Sequence, residues 1–120
     1  MALNITAKIF DVTDSQTVGG TTNSVSQAGT QKKAGRVTVQ SSEVDINHSS
    51  DISSPGWVVC KNRGSTDRID IGFATATYDM SLEPGDQCTF KIISTGAARL
   101  FVKAEASNDS NNFDYAFHEL

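Results

Sequence analysis

At 120 residues the chain is one domain's worth of sequence, long enough to bury a core without disulfide or metal staples. Hydrophobic residues make up 38% of it and Ser, Thr, Asn and Gly are plentiful, a mixture that suits an all-β domain with long polar connections rather than a helical bundle. The formal charge of −4 leaves no footprint for a phosphate backbone, and no run approaches the ~18 apolar residues of a membrane span, so neither nucleic acid nor membrane is an expected partner.

Leu3, Ile5, Ala7 and Ile9 alternate with Asn4, Thr6 and Lys8, which predicts a half-buried first strand over about residues 3–12. Phe10 and Val12 fall on the opposite face, so a bulge, or a strand end covered on both sides, is expected there. The N-terminal residues show no charged segment followed by an apolar one, and the expectation is a chain made as a soluble cytosolic protein. Residues 13–35 are rich in Ser, Thr, Gln, Asn and Gly, too polar to offset their own ordering entropy. They read as an extended arm or long loop with at most a weak strand around Asn23–Ala28, a segment suited to reaching a neighbouring subunit.

Val37 and Val39 alternate with polar neighbours, and Val44 and Ile46 do the same in a register one residue out of step, which predicts a bulge or break near Ser41-Ser42. A polar loop over 47–56 ends in Pro55-Gly56. Strands are then predicted at Trp57–Lys61, at Ile69–Phe73 with Ile69, Ile71 and Phe73 on one face, and at Tyr78–Leu82. The turn Leu82-Glu83-Pro84-Gly85-Asp86 is the clearest punctuation in the chain: proline pre-sets φ at the first central position and glycine accepts the positive φ of a type II turn at the second. Cys88, Phe90 and Ile92 share a face, as do Leu100, Val102 and Ala104, and then Phe113, Tyr115 and Phe117, with Asp114, Ala116 and His118 on the outer side. About eight or nine short strands without a helical period predict a single β-sandwich domain over 1–120, of jelly-roll or related Greek-key type, with the polar N-terminal arm appended.

Candidates for chemistry are few. Cys60 and Cys88 lie inside predicted strands, at no metal-ligand spacing, and read as small buried hydrophobes; whether they pair depends on a Cα separation the sequence does not give. Asn108–Asp114 offers several oxygens but lacks the glycine and closing glutamate of a calcium loop; Asp11 with Asp14, and Asp67 with Asp70, offer less. His48 and His118 stand without a nucleophile signature, and Glu43, Glu83, Glu105 and Glu119 read as outward or turn positions rather than a paired acid and base. Lys32, Lys33 and Arg36 form the one local basic cluster and read as a solvated loop. Trp57, the only tryptophan, reads as a core or rim residue, with a sugar-stacking platform as its competing role. No catalytic, cofactor-binding or metal-ligating residue is assigned, and a non-enzyme is expected.

The ordered series Trp57-Val58-Val59-Cys60-Lys61-Asn62, Asp67-Arg68-Ile69-Asp70-Ile71-Gly72, Leu82-Glu83-Pro84-Gly85-Asp86, Cys88-Thr89-Phe90-Lys91-Ile92, Leu100-Phe101-Val102-Lys103-Ala104 and Phe113-Asp114-Tyr115-Ala116-Phe117 resembles small β-sandwich structural proteins of tailed bacteriophages, of the head decoration and connector type. The match covers roughly residues 56–118, with Asp86 where the pattern has glutamate. The resemblance implies a virion component that binds a capsid or a tail or collar lattice in many copies, with other virion proteins as partners, a symmetric homo-oligomer and no cofactor. A glycan-binding or receptor-binding β-sandwich module is the alternative.

Overall fold

Among the described residues, short runs of β-branched and aromatic residues, separated by Gly, Pro, Asn and Ser, condense into ten antiparallel strands. The computed structural model describes residues 2–11, 16–26, 32–47, 55–92 and 99–119. The chain divides into two compact units, residues 1–30 and 31–120.

The first unit is a two-stranded ribbon of β1 (Ala2–Asp11) and β2 (Gln16–Ser26), running from the pair Ala2–Ser26 to the pair Asp11–Gln16. This corrects the reading of 13–35 as an arm or loop with at most a weak strand around Asn23–Ala28. Gln16–Ser26 is a full strand, and Lys32 already begins the next one. Thr17, Val18, Thr21, Thr22 and Val25 supply the β-branched content, and the ladder to β1 satisfies a backbone that polar composition alone suggested was unpaired. The expected irregularity in β1 is present but lies earlier, between Thr6 and Lys8. Val12 lies outside the described residues.

The second unit is a β-sandwich. One sheet has the order β3-β10-β5-β8 and the other β4-β9-β6-β7. The strands of the first are β3 (Lys32–Thr38), β5 (Pro55–Asn62), β8 (Gln87–Lys91) and β10 (Asn112–Glu119). Those of the second are β4 (Val44–Asn47), β6 (Ile69–Gly72), β7 (Met80–Leu82) and β9 (Arg99–Ala104). Successive strands alternate between the sheets except at the β6–β7 hairpin, and the first strand lies beside the last: this is the eight-stranded jelly roll. The phase slip near Ser41-Ser42 is the first of these crossings. The chain leaves β3, turns through residues 39–43 and enters the opposite sheet, so Val39, just past β3, and Ile46, in β4, both reach the core.

The two inner faces meet in a dry layer. Val58, Cys60, Phe113 and Phe117 from one sheet pack with Ile46, Ile69, Ile71, Leu82, Leu100, Val102 and Ala104 from the other, and Tyr115, Phe90, Cys88 and Val37 fill in at its margin. Phe73 is a correction: it does not share the buried face of Ile69 and Ile71 but stands 45% exposed. β6 ends at Gly72, where an added Cβ would sit 1.7 Å from the Thr77 carbonyl oxygen, and the chain folds back there through a bridge between Ala74 and Thr77. Phe73 instead meets Phe90 edge to face at 5.7 Å.

The Pro84-Gly85 turn forms as expected, with φ of +88° at Gly85 and the Asp86 N–H bonded to the Glu83 carbonyl at 2.9 Å. It is clasped by Asn62, the fully buried last residue of β5. The Asn62 N–H donates to the Asp86 carbonyl and its own carbonyl accepts from the Gly85 N–H, both at 2.9 Å. Its side-chain Nδ2 donates to the carbonyls of Asp67 and Leu82, and Oδ1 accepts from the Gly64 N–H, each at 2.9 Å. One amide therefore joins the end of β5 to the end of β7 in the opposite sheet. Replacing Asn62 with Leu leaves two carbonyls and an N–H buried without partners, at about 1–3 kcal/mol each, and urea unfolding should show a loss of about 3 kcal/mol or more. An unchanged midpoint would mean that the clasp contributes nothing.

Candidate docking surface

Because side chains alternate along a strand, every residue that does not enter the core faces outward in rows set by register. On the β3-β10-β5-β8 sheet the central row runs Ala34, Ala116, Val59, Thr89 across all four strands. Its side chains are small, and Val59 is 39% exposed. The row on one side is Arg36, Asp114, Lys61, Gln87; the row on the other includes His118, Trp57 and Lys91. Trp57 is half-buried on this outward row and is not among the buried core residues, so the core reading does not hold.

Asp114 is the electrostatic centre of this face. Arg36 reaches it from β3 with two hydrogen bonds, Nε to Oδ1 at 2.6 Å and an Nη to Oδ2 at 3.1 Å, and Arg63 binds Oδ2 from the segment after β5. The Arg36 hydrogen bonds, with those of Arg63, hold the Asp114 carboxyl down at about 2. Both guanidinium groups remain about half exposed while pinned in place. Arg36, Lys61 and Lys91 are three cations against the one carboxylate of Asp114 among the described outward side chains of these strands, and Arg63 stands beside them just past β5, in a chain whose net charge is −4. A shallow depression of ≈ 260 Å³, lined by Val59, Lys61, Arg63, Gln87, Asp114, Tyr115 and Ala116, lies across it.

On the opposite sheet the strand residues Asp45 and Asp70 are matched by Arg99 and Lys103, and the surplus of carboxylates, Glu43, Asp79 and Glu83, lies in the segments flanking its strands. Asp45 pairs with Arg99 at 3.0 Å and Asp70 with Arg68 at 2.8 Å. Glu43 accepts from the Tyr78 hydroxyl at 2.6 Å and the Ala76 N–H at 2.9 Å, which lowers the Glu43 carboxyl and pushes the Tyr78 phenol up to about 12. Asp79 and Glu83 stand exposed beside them. A groove of ≈ 380 Å³ here is lined by Arg68, Asp70, Tyr78, Asp79, Met80, Ser81 and Glu83. The Tyr78 ring has the Lys103 ammonium 5.6 Å from its centroid.

The other sequence candidates separate. In the 108–114 loop, Asn108 Oδ1 accepts from the Ser110 N–H and hydroxyl, Asp109 accepts from Gln40, and Asp114 belongs to the arginine pair, so the oxygens serve a turn and two ion or hydrogen-bond contacts rather than converging on one point. Among the described residues no group of three or more His, Cys, Asp or Glu is placed to hold a metal ion. Glu105 accepts from the Arg68 N–H, Asp67 is buried beside the Asn62 clasp, and His118 sits on the outer row of β10. His48 and Asp14 lie outside the described residues. Cys60 and Cys88 do meet, although not across the sandwich: they are register partners on adjacent strands of one sheet, both free. Sequence reasoning missed the convergence of Arg36, Arg63 and Asp114, whose members are 51 and 78 residues apart, because only the placement of β10 between β3 and β5 brings them together.

Because the Asp114 carboxyl is depressed in the folded state, its contribution to stability is complete above the ordinary aspartate value of about 4 and is lost as pH falls toward about 2. Acid unfolding of the wild type should steepen in that window, and Asp114→Asn should flatten it; identical profiles would show that the arginine pair is energetically idle. Comparison of the chain with protein-family models, with characterised proteins and with solved structures gives no match.

Proposed function

We propose that the chain is a non-enzymatic structural protein of a tailed-phage particle that takes its place in a capsid or tail or collar lattice in many copies, docking through the outer face of the β3-β10-β5-β8 sheet. The observation that carries this reading is the division of charge between the two sheets. One outward face is flat, small-residued along its central row and basic, whereas the segments flanking the other sheet's strands carry the surplus of carboxylates. Two unlike faces on one body favour head-to-tail contacts, which close into rings or extend into a lattice according to the rotation between neighbours. The chain from β3 to β10 folds as a jelly roll, and capsid proteins are among the users of this architecture. The ribbon of residues 1–30 adds to the case: a two-stranded sheet is marginal in isolation, and among the described strands β1 and β2 pair only with each other.

The glycan-binding alternative finds its nearest match in the groove beside Tyr78, where an aromatic ring lies next to Arg68, Asp70 and Asp79. That ring already faces Lys103 and its hydroxyl is taken by Glu43, which leaves little free surface for a sugar and makes this the weaker reading.

Charge exchange tests the docking face. Lys61→Glu with Lys91→Glu reverses the basic face, and Asp79→Lys with Glu83→Lys reverses the acidic one. Sedimentation should find each double variant unable to self-associate, while an equimolar mixture, in which one variant has two acidic faces and the other two basic ones, assembles with the two chains alternating. Variants that assemble like the wild type, or a mixture that stays monomeric, would remove the basis for the proposal.

A further inference from the structure

We infer that Cys60 and Cys88 form a modification site, a cross-strand dithiol that a peroxide closes into a labile disulfide. The two residues stand directly opposite each other on β5 and β8, and both side chains turn to the inner layer, where Cys60 is fully buried and Cys88 half-buried at the margin. Both are free thiols. The pair therefore needs no rearrangement of topology to meet.

The position in the ladder sets the character of the bond. In the same register, the Ile92 N–H donates to the Gly56 carbonyl at 2.8 Å and the Asn62 N–H to the Asp86 carbonyl at 2.9 Å. Counting in twos from either bond makes Cys60–Cys88 a hydrogen-bonded pair. Such pairs hold their Cα atoms about 5.5 Å apart, inside the range a disulfide spans, but keep the Cβ atoms wider than the alternate positions do. Closing the bridge stores strain, and strained bridges are the ones most easily reduced.

The geometry also orders the steps. Cys88, the more accessible of the two, is the thiol whose anion is favoured by its neighbour, while the proximity of Cys88 and then burial hold the Cys60 thiol up. The Cys88 thiolate attacks hydrogen peroxide, breaking the O–O bond to give a sulfenic acid and water once the hydroxide leaving group is protonated. The Cys60 sulfur then displaces hydroxide from the Cys88 sulfur, forming the S–S bond, and its proton leaves with that hydroxide as a second water. Two thiols are oxidised and one peroxide is reduced. The product ties the edge strand β8 to the interior strand β5 and closes a loop that carries the β6–β7 hairpin of the other sheet.

The test uses the folded full-length chain and hydrogen peroxide. The expected product is a monomer lighter by two hydrogens, with no titratable thiol after denaturation and a Cys60–Cys88 linked peptide on digestion. Its melting temperature should rise by about 5–10 °C, and reduced glutathione at about 1 mM should restore both thiols. In Cys60→Ser, Cys88 should stop at a sulfenic acid that dimedone traps, whereas Cys88→Ser should leave Cys60 unreacted. Two surviving thiols, or a covalent dimer in place of the internal bridge, would overturn the site. A bridge resistant to glutathione would overturn its lability, and reaction of Cys60 in Cys88→Ser would overturn the order of attack.

Discussion

The buried amide of Asn62 is the contact on which the sandwich depends most. A jelly roll has few hydrogen bonds between its sheets, because each ladder satisfies its own backbone and the layer between them is apolar. Where the chain crosses from one sheet to the other, backbone groups leave the ladder and must find partners elsewhere. At the β7–β8 crossing those partners are the backbone and side chain of one residue, which bind the Pro-Gly turn, the end of β7, and the segment leading into β6. The clasp fixes how β8 enters its sheet and therefore fixes the pairing of Cys88 with Cys60 and the row that carries Lys91.

With the inner faces committed to the core, function is left to the outer faces, and these differ in chemistry. β10 lies between β3 and β5, so Asp114 draws arginines from both sides, and the pairing stiffens a face that would otherwise carry long, loosely held side chains. Exposed ion pairs contribute little to stability. Their larger effect here is positional: two guanidinium groups are held around one carboxylate beside the flat row of Ala34, Ala116 and Val59. Side chains already held in place lose less freedom when such a surface is covered.

Strand content and inner faces were legible because they depend on local alternation. Leu100, Val102 and Ala104, or Phe113 and Phe117, are apolar at every second position, and each is fully buried. The type II turn was legible because Pro84-Gly85 has one comfortable backbone path. Phe73 was misplaced because its alternation is correct but its strand stops one residue earlier, at a glycine required by a backbone contact across the following turn. β2 was underread because a strand of Thr, Ser, Gly and Asn has little apolar signal, and its partner, not its composition, makes it a strand. The basic face and the cysteine pair were illegible for a common reason: both are products of strand order, which brings together residues distant in sequence. The resemblance to phage structural proteins bears on the same strand-and-turn features, so it speaks to the fold more directly than to any surface.

The central claim is that unlike faces of one body make the chain associate through charge, and the native mass tests it most directly. Light scattering behind size exclusion would be run on the full chain at about 50 mM and about 500 mM salt, conditions that shorten the reach of exposed charges severalfold. The account predicts a discrete multimer at the lower salt that dissociates at the higher. A monomer at both, or a multimer indifferent to salt, would contradict it.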